Sequence, residues 1–359
     1  MRRTFRSAVL LLFAVALAGV VAGCSKSDLK NETVASVNGE DLKVYELREV
    51  LGFRGGDAPA EKVPAERKKE ALDRLVAGRL LAQDARAKGL DNTAEFRQAL
   101  AQSEQGVLIT ALFRKEMESK GKAQDKDIQE EAKKLRQSDN NISEKDAGAR
   151  ASQILTERMR RKIEADLIAT VKKENPFEVN QGAIQKIGKG EKVDDGAILG
   201  TAGAEKVSYG DVKRLIGTLA PDMHGAQDLS KNPMFIERVL DRELTGRALA
   251  AHAKKQGVEG SDAAKSIRKE IERSILISQL ADKVVLKDIS VTDKEIGEAY
   301  TEHAQMLVRD GKKVPLAAVK EQLRGFLQNN KKKKALEDYI QELKKKAKIT
   351  VNESVLPKV

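Results

Sequence analysis

The sequence is poor in the residues that most often build catalytic and metal-binding sites. Its 359 residues include one cysteine, three histidines and no tryptophan, and only 3% are aromatic. A single cysteine excludes an intramolecular disulfide. The histidines, His224, His252 and His303, have no second ligand-type residue at metal-binding spacing, so no metal site is predicted. Few aromatics together with 34% charged residues indicate long helices rather than a β-sandwich.

Motifs for nucleotide binding and nucleophilic catalysis are also missing. The sequence has neither a phosphate-binding loop nor a Gly-x-Gly-x-x-Gly turn. No set of residues indicates a nucleophile with its base and an oxyanion site. The acidic pair Asp194-Asp195 lies in a glycine- and lysine-rich stretch, where it is expected to be solvated. We therefore predict no catalytic residue, no cofactor and no small-molecule substrate.

The N-terminus has the three parts of an export signal. Basic residues at 2, 3 and 6 precede an apolar run over 8–18, and small residues follow up to Cys24. The stretch Val21-Ala22-Gly23-Cys24 resembles the lipobox of bacterial lipoproteins, which implies that Cys24 becomes the lipidated first residue. An uncleaved membrane anchor, the alternative, would need about 20 apolar residues. Because Ser25 rather than aspartate follows, we expect a lipoprotein of the outer membrane that faces the periplasm.

The charge excess is concentrated near the C-terminus. The formal net charge of +11 falls to +8 without the three arginines of the leader, and much of the remainder lies in the lysine runs 331–334 and 344–346. On a helix such runs usually form a solvated face, and contact with anionic lipid or acidic polypeptide is the alternative. Nucleic acid is not an expected partner of an exported protein.

An internal repeat organises the chain. LDRLVAGRLLAQDARAKGL at 72–90 recurs as LDRELTGRALAAHAKKQGV at 240–258, an offset of 168, with nine of 19 positions identical. Unrelated sequence would share roughly one or two positions. The offset is 165 upstream of this stretch, and it is 172 downstream, where 160–187 lies over 332–359. Self-similarity at fixed spacing is typical of duplicated structural units. We predict a signal peptide (1–23), a tether (24–33), a first module (34–187), a linker (188–198) and a second module (199–359).

Each module is predicted to be mainly α-helical with a short hairpin. Val34–Val37 reads as a strand, Asn38-Gly39 as a tight turn and 42–44 as the returning strand. Phe177–Val179 is an extended tail that is a candidate partner for this opening strand. In the second module, Lys348–Val351 occupies the corresponding place.

Local signals mark the helix ends. In the first module we expect helices that start at Pro64, between Asn92 and Glu95, near Asp125, and at Ser143. The first of these should end at Gly89 and the last at Asn175-Pro176. In the second module, Thr292 and Glu295 predict a capping box, and Pro315 begins the last helix. The apolar stripes of these helices are interpreted as core rather than as client-binding surface.

The repeat resembles a known family of exported proteins. VASVNGEDLKVYELREVL at 34–51, ALDRLVAGRLLAQDARAKGL at 71–90, VTDKEIGEAY at 291–300 and ALEDYIQELKKKAKITVN at 335–352 are similar to the N-terminal helical module of SurA- and PrsA-type extracytoplasmic chaperones and peptidyl-prolyl isomerases. In that family the helical module holds unfolded secreted or outer-membrane polypeptides, and a separate parvulin domain isomerises X-Pro bonds. The resemblance covers nearly the whole mature chain.

A degenerate parvulin domain is the enzymatic alternative. Arg150–Leu155 (RASQIL) and 195–200 (DGAILG) imitate the spacing of an opening parvulin strand and a later glycine turn. However, Gln153 stands where that family has histidine, and the segment aligns with 323–327 inside a predicted helix. Residues 192–200 also run directly into the second module, which leaves no room for the other parvulin elements.

The sequence therefore predicts a lipid-anchored, ATP-independent chaperone for unfolded polypeptides. Its partners would be polypeptide clients and, through Cys24, a membrane. A prolyl isomerase and a dedicated assembly partner in envelope or polysaccharide export are the alternatives.

Overall fold

The fold is mainly helical, with 72% helix and two small antiparallel sheets. The structure is a computed structural model that describes residues 29–52, 63–121, 123–219, 229–305, 307–309 and 312–359. The predicted signal peptide, Cys24 and His224 lie outside the described residues. The α-helices are α1 (Val44–Val50), α2 (Ala65–Ala87), α3 (Ala94–Lys120), α4 (Asp125–Ser138), α5 (Glu144–Glu174), α6 (Gln181–Gly188), α7 (Tyr209–Leu219), α8 (Pro233–Lys255), α9 (Asp262–Leu280), α10 (Asp293–Glu302) and α11 (Leu316–Lys346).

The strands form two three-stranded antiparallel sheets and one small hairpin. They are β1 (Thr33–Val37), β2 (Glu40–Lys43), β3 (Phe177–Val179), β4 (Ile198–Ala202), β5 (Glu205–Ser208), β6 (Val308–Arg309), β7 (Lys312–Lys313) and β8 (Ile349–Val351). The order is β2-β1-β8 in the first sheet and β3-β4-β5 in the second, while β6 pairs with β7. The Asn38-Gly39 turn that joins β1 to β2 has φ angles of 52° and 86°, the left-handed region that this residue pair favours.

The helix ends confirm the local signals of the sequence. The Ser143 hydroxyl accepts the Asp146 N–H at 3.1 Å, so α5 begins at its predicted cap. Thr292 and Glu295 form the expected capping box of α10. Gly89, which follows α2, has φ 72°, a conformation that favours glycine at a helix C-terminus. These ends are set by residues next to them in the chain, which is why sequence alone locates them.

The chain divides into two compact units, and the division falls inside α2 and inside α11. Unit 1 contains the described residues up to Leu80 together with Gln341–Val359. Its core joins the first sheet, α1, the first part of α2 and the C-terminal residues. The fully buried side chains of β1, β2 and α1 in this core are Val34, Val37, Leu42, Val44 and Leu47.

Unit 2 consists of Leu81–Ile340, and the hydrophobic clusters among its described residues include the following three. The largest joins α3, the second half of α5, α6, the second sheet, α7, α8 and α9. A small cluster lies between α4 and α5, and another lies between α10 and α11. Apolar burial on this scale is the main stabilising contribution in a helical protein.

Three sequence expectations need correction. Phe177–Val179 does not pair with the opening strand β1; it forms β3, which pairs with β4 so that Val179 lies opposite Gly200. Ile198, assigned to the linker, is the first residue of β4. Residues 181–188 form the unpredicted helix α6, which buries Ile184 and Ile187 and is capped by Asn180. Two apolar residues three positions apart are too weak a periodic signal for a helix of eight residues.

Corresponding elements recur in the same order along the chain. Helices α2 and α8 each have 23 residues and start 168 positions apart, and α5 and α11 each have 31 residues and start 172 positions apart. Strands β1 and β4 start 165 positions apart, as do β2 and β5. Both β1 and β4 are irregular between their first and third residues. The spacings equal those of the sequence repeat.

Candidate functional site

A buried arginine holds the first hairpin against α2. Arg79 is 5% exposed. Its guanidinium donates to Glu46 at 2.8 Å and to Glu40 at 2.5 Å, and it approaches the carbonyl oxygen of Asp41 at 3.5 Å. Glu46 also accepts the backbone N–H of Lys43 at 2.9 Å, which caps α1. One side chain therefore connects the long helix, the second strand and the start of α1.

The second hairpin has the same connection at equivalent positions. Arg247 donates to the carbonyl oxygen of Lys206, lies 3.3 Å from Asp211 and donates through Nε to Glu243 at 2.8 Å. Burial opposes ionisation of Asp211, but the Ser208 backbone N–H and the two nearby arginine charges outweigh it and lower the pKa of this carboxyl. Leu75 occupies the position of Glu243 in the first hairpin, so the buried Nε of the first arginine has no partner there.

The third strand of each sheet comes from the other half of the chain. β8 pairs with β1, with Val37 opposite Ile349, whereas β3 pairs with β4. The side chain of Asn352 donates to the carbonyl oxygen of Thr33 at 3.3 Å, and that of Asn180 donates to Ile198 at 3.3 Å. The backbone N–H of each asparagine donates to the carbonyl of the following strand residue, at 2.9 and 2.8 Å. The two strands are thus exchanged reciprocally, with matching hydrogen bonds.

The last long helices follow the same exchange. Lys172 of α5 forms an ion pair with Asp241 of α8 at 2.7 Å, and Lys344 of α11 forms one with Asp73 of α2 at 3.3 Å. The lysines lie 172 positions apart and the aspartates 168 positions apart, as in the repeat. Exposed pairs of this kind contribute little stability. They are informative about geometry, because they show that α5 pairs with α8 as α11 pairs with α2.

A polar cluster joins the last part of α2 to α11 within unit 2. The Tyr339 hydroxyl donates to Asp84 at 2.5 Å, and Lys88 donates to the other carboxylate oxygen at 2.9 Å. Burial, followed by the Asp84 carboxylate, raises the pKa of Tyr339. His252, the repeat equivalent of Asp84, lies 3.0 Å from Glu174. This histidine is therefore part of a helix-to-helix contact.

A cleft of about 650 Å³ lies between α4 and the first part of α5. It is lined by Ile128, Ala132 and Gly148, with Lys133, Arg136 and Glu144 among its polar lining residues. Among the described residues, the hydrophobic cluster between these two helices buries Ala132, Ala147 and Ala151, of which only Ala132 lines the cleft. The partly buried side chains of Ile128, Leu135 and Ile142 pack against these alanines.

The equivalent hairpin of α10 and α11 is filled. Its helices bury Ile296, Val319 and Leu323. Tyr300 packs on this cluster, together with Leu307 and Val314 from the β6–β7 connection. The Tyr300 hydroxyl donates to the carbonyl oxygen of Val314 at 2.6 Å, which fixes the connection over the helices.

The remaining residues considered from sequence are dispersed. Arg150–Leu155 lies within α5 and is helical, whereas a parvulin domain would need a strand there, and Gln153 is exposed. His303 packs edge-to-face on Phe326 at 6.2 Å between ring centres. Asp195 forms an ion pair with Lys213 at 2.5 Å. No group of three metal-ligating side chains is found within the described residues.

The lysine runs of α11 are largely ion-paired. Five of the seven lysines form ion pairs with carboxylates: Lys331, Lys333, Lys334, Lys344 and Lys345. Four of these partners are acidic residues of α10 or α11 itself, as expected of a charged helix surface. Of the helices that the structure describes, none combines the length and apolar character needed to cross a membrane.

The chain matches no protein-family model, no curated protein and no solved structure. A functional assignment therefore depends on its own residues and geometry.

Proposed function

We propose that this protein is a lipid-anchored, ATP-independent chaperone that binds unfolded secreted or outer-membrane polypeptides in the periplasm. It is built from two tandem copies of one helical module similar to the N-terminal module of SurA- and PrsA-type proteins. Cys24 carries the lipid anchor, and the outer membrane is its location.

The reciprocal strand exchange is the observation that carries this proposal. Asn180 and Asn352 make the same hydrogen bonds to equivalent strands, and Arg79 and Arg247 connect equivalent hairpins to equivalent helices. Independent segments of unrelated origin have no reason to reproduce such details at the spacings of a sequence repeat. The agreement supports duplication of one module, and the quoted resemblance supplies the function of that module.

Two linked modules suit a chaperone that lacks a nucleotide-driven release step. Each contact with a client must be weak enough to dissociate spontaneously. Linking two weak sites raises the effective concentration of the second once the first is occupied, so that overall binding exceeds that of either site. A client can then be retained and released without an energy source.

An aggregation assay tests the proposal. The chain from Ser25 onward keeps every described residue. We expect it to delay light scattering when an unfolded outer-membrane β-barrel protein is diluted from urea, and added ATP should change nothing. A helical protein of similar size and net charge serves as control. No delay at a several-fold molar excess of the chain would contradict the proposed function.

Fractionation of cells tests the anchor separately. The full chain should sediment with outer membranes, and Cys24→Ser should move it to the inner membrane or the soluble fraction, because its acyl acceptor is lost. Unchanged sedimentation of the variant would contradict lipidation at Cys24.

A further inference from the structure

We propose that two asparagines, Asn38 and Asn175, select the strand that completes each three-stranded sheet, so that β1 accepts β8 and rejects β3. The chain contains two similar opening strands and two similar third strands. Short strands of this kind can pair wrongly, within one chain or between two copies of it. The selection concerns the fold, and it is independent of the proposed chaperone function.

The strands have the same register in both sheets. Val37 lies opposite Ile349 in the first sheet, and Ala202 lies opposite Phe177 in the second. These two pairs are equivalent by the repeat offsets of 165 and 172. The sheets differ next to the strands, where the turn after β1 or β4 meets the residues that precede β8 or β3.

In the first sheet the asparagine stands on the turn. The side-chain Oδ1 of Asn38 accepts the backbone N–H of Lys348 at 2.8 Å. The backbone N–H of Asn38 donates in return to the carbonyl oxygen of Lys348 at 2.8 Å. The residue before Lys348 is Ala347, which carries only a methyl group. The turn therefore supplies the acceptor for the N–H group that precedes β8.

In the second sheet the asparagine stands at the helix end. Asn175, the C-cap of α5, corresponds to Ala347, and Gly203 of the second turn corresponds to Asn38. A Cβ atom at Gly203 would lie 2.6 Å from Oδ1 and 3.3 Å from Cγ of Asn175. Each contact thus contains one asparagine, and the two sheets contribute it from opposite sides.

Pairing within each module would be unfavourable in both sheets. If β3 paired with β1, Asn175 would face Asn38, whose Cβ is the group that the contact with Gly203 leaves no space for. Pro176 would then stand in the place of Lys348, and proline has no N–H to donate to the turn. If β8 paired with β4, the Lys348 N–H would face a glycine without a side-chain acceptor. The exchanged arrangement avoids all three mismatches.

Competing disulfides measure the choice directly. Ala35 lies opposite Val351 in the exchanged pairing, and Val179, the repeat equivalent of Val351, would lie there in the alternative. Opposed residues of antiparallel strands have Cα atoms roughly 4.5–5.5 Å apart, which a disulfide can span. The chain from Ser25 onward, with Ala35→Cys, Val179→Cys and Val351→Cys, is unfolded in urea and refolded under mild oxidation. Peptide mapping by mass spectrometry then gives the ratio of the 35–179 to the 35–351 disulfide, and we expect the 35–351 disulfide to dominate.

Asn38→Gly should shift this ratio. The variant removes both the acceptor for Lys348 and the Cβ that would meet Asn175, so the share of the 35–179 disulfide should rise on the order of tenfold, the effect of about one hydrogen bond. Asn38→Asp is the matched control. Aspartate keeps the Cβ and an acceptor oxygen, and like asparagine it tolerates the left-handed φ of 52° at this position, so the ratio should stay as it is with asparagine.

The second sheet provides an independent measurement by hydrogen exchange. Gly203→Asn should lower the protection of β3 and β4 in the chain that has Asn175, but not in a chain that carries Asn175→Ala, because that pair reproduces the one in the first sheet. An unchanged disulfide ratio in Asn38→Gly, or equal shifts in Asn38→Gly and Asn38→Asp, would overturn the selection by Asn38. Equal losses of protection with and without Asn175→Ala would overturn the selection by Asn175.

Discussion

Replacing Arg79 with methionine should destabilise the first hairpin far more than the same replacement at Arg247. Methionine keeps an apolar stem and removes only the charged group. The side chain of Arg79 is 6% exposed and that of its partner Glu46 is 9% exposed, so the substitution leaves a buried carboxylate without its cation. Arg247 and Asp211 are 24% and 21% exposed, and water can replace the lost contact.

The magnitudes follow from this difference in burial. Removing one partner of a buried ion pair costs about 3–5 kcal/mol. The Nε of Arg79 has no hydrogen-bond partner, and removing this buried donor recovers about 1 kcal/mol. A net loss of about 2–4 kcal/mol remains at Arg79, against about 1 kcal/mol at the more exposed Arg247.

Hydrogen exchange followed by mass spectrometry measures the effect locally, which matters because a chain with two units need not unfold in one step. Protection of β1, β2 and α1 should fall on the order of a hundredfold in Arg79→Met. The double variant Arg79→Met with Glu46→Met should recover much of it, because no unpaired charge is then buried. Equal losses in Arg79→Met and Arg247→Met, or no recovery in the double variant, would refute this reasoning.

Three further predictions concern a helix cap, a strand contact and the linker. The hydrogen bond from Lys331, followed by those of the capping box, lowers the pKa of Glu295 from 4.5 to about 2. The stability that its carboxylate contributes should be fully present above pH 4.5 and be lost as the pH falls toward 2. A carboxyl NMR titration with a midpoint near 4.5 would contradict this. Gly200→Ala should lower the free energy of unfolding by about 1–2 kcal/mol in chemical denaturation, because the new Cβ would lie 3.0–3.2 Å from leucine methyls and a backbone carbonyl. The control Gly106→Ala should not destabilise the protein, since its new Cβ has no neighbour within 4 Å. Cleavage at a protease site inserted between the exposed residues Glu191 and Lys192 should yield two fragments that still co-elute from a sizing column. The fragments should stay together because the pairs β1–β8 and β3–β4 each join a strand of one half of the chain to a strand of the other. Separation of the fragments without denaturant would contradict this strand exchange.

Sequence located the helices because their ends depend on neighbouring residues. Pro64, Ser143 and the Asn175-Pro176 pair act within a few positions, and the structure begins or ends helices beside them. The partner of β3 could not be obtained in this way. Its three residues fit either opening strand equally well, since β1 and β4 have the same length and pattern. Which strand β3 pairs with depends on the position at which the preceding 31-residue helix α5 ends.

The cleft between α4 and α5 was not predicted from the sequence. The repeat offsets place Ala132 against Tyr300 and Ala151 against Leu323. An apolar stripe by itself does not distinguish a closed helix pair from an open one, because small residues are as apolar as large ones. Leu135 and Ile142 also pack on the alanines and only Ala132 lines the cleft, so a comparison of side-chain volume at these paired positions does not locate the cleft.

The cleft and the sheet that contains β3 lie at opposite ends of the long helix α5. Gly148 lines the cleft, while Val171 is fully buried in the large cluster of unit 2. At 1.5 Å per residue the two positions lie roughly 35 Å apart along the helix. Helix α4 packs chiefly against α5, so the packing of this helix pair can change while the distant core keeps its contacts. The small alanine core of this helix pair is therefore separate from β3 and the sheet that β3 completes at the other end of α5.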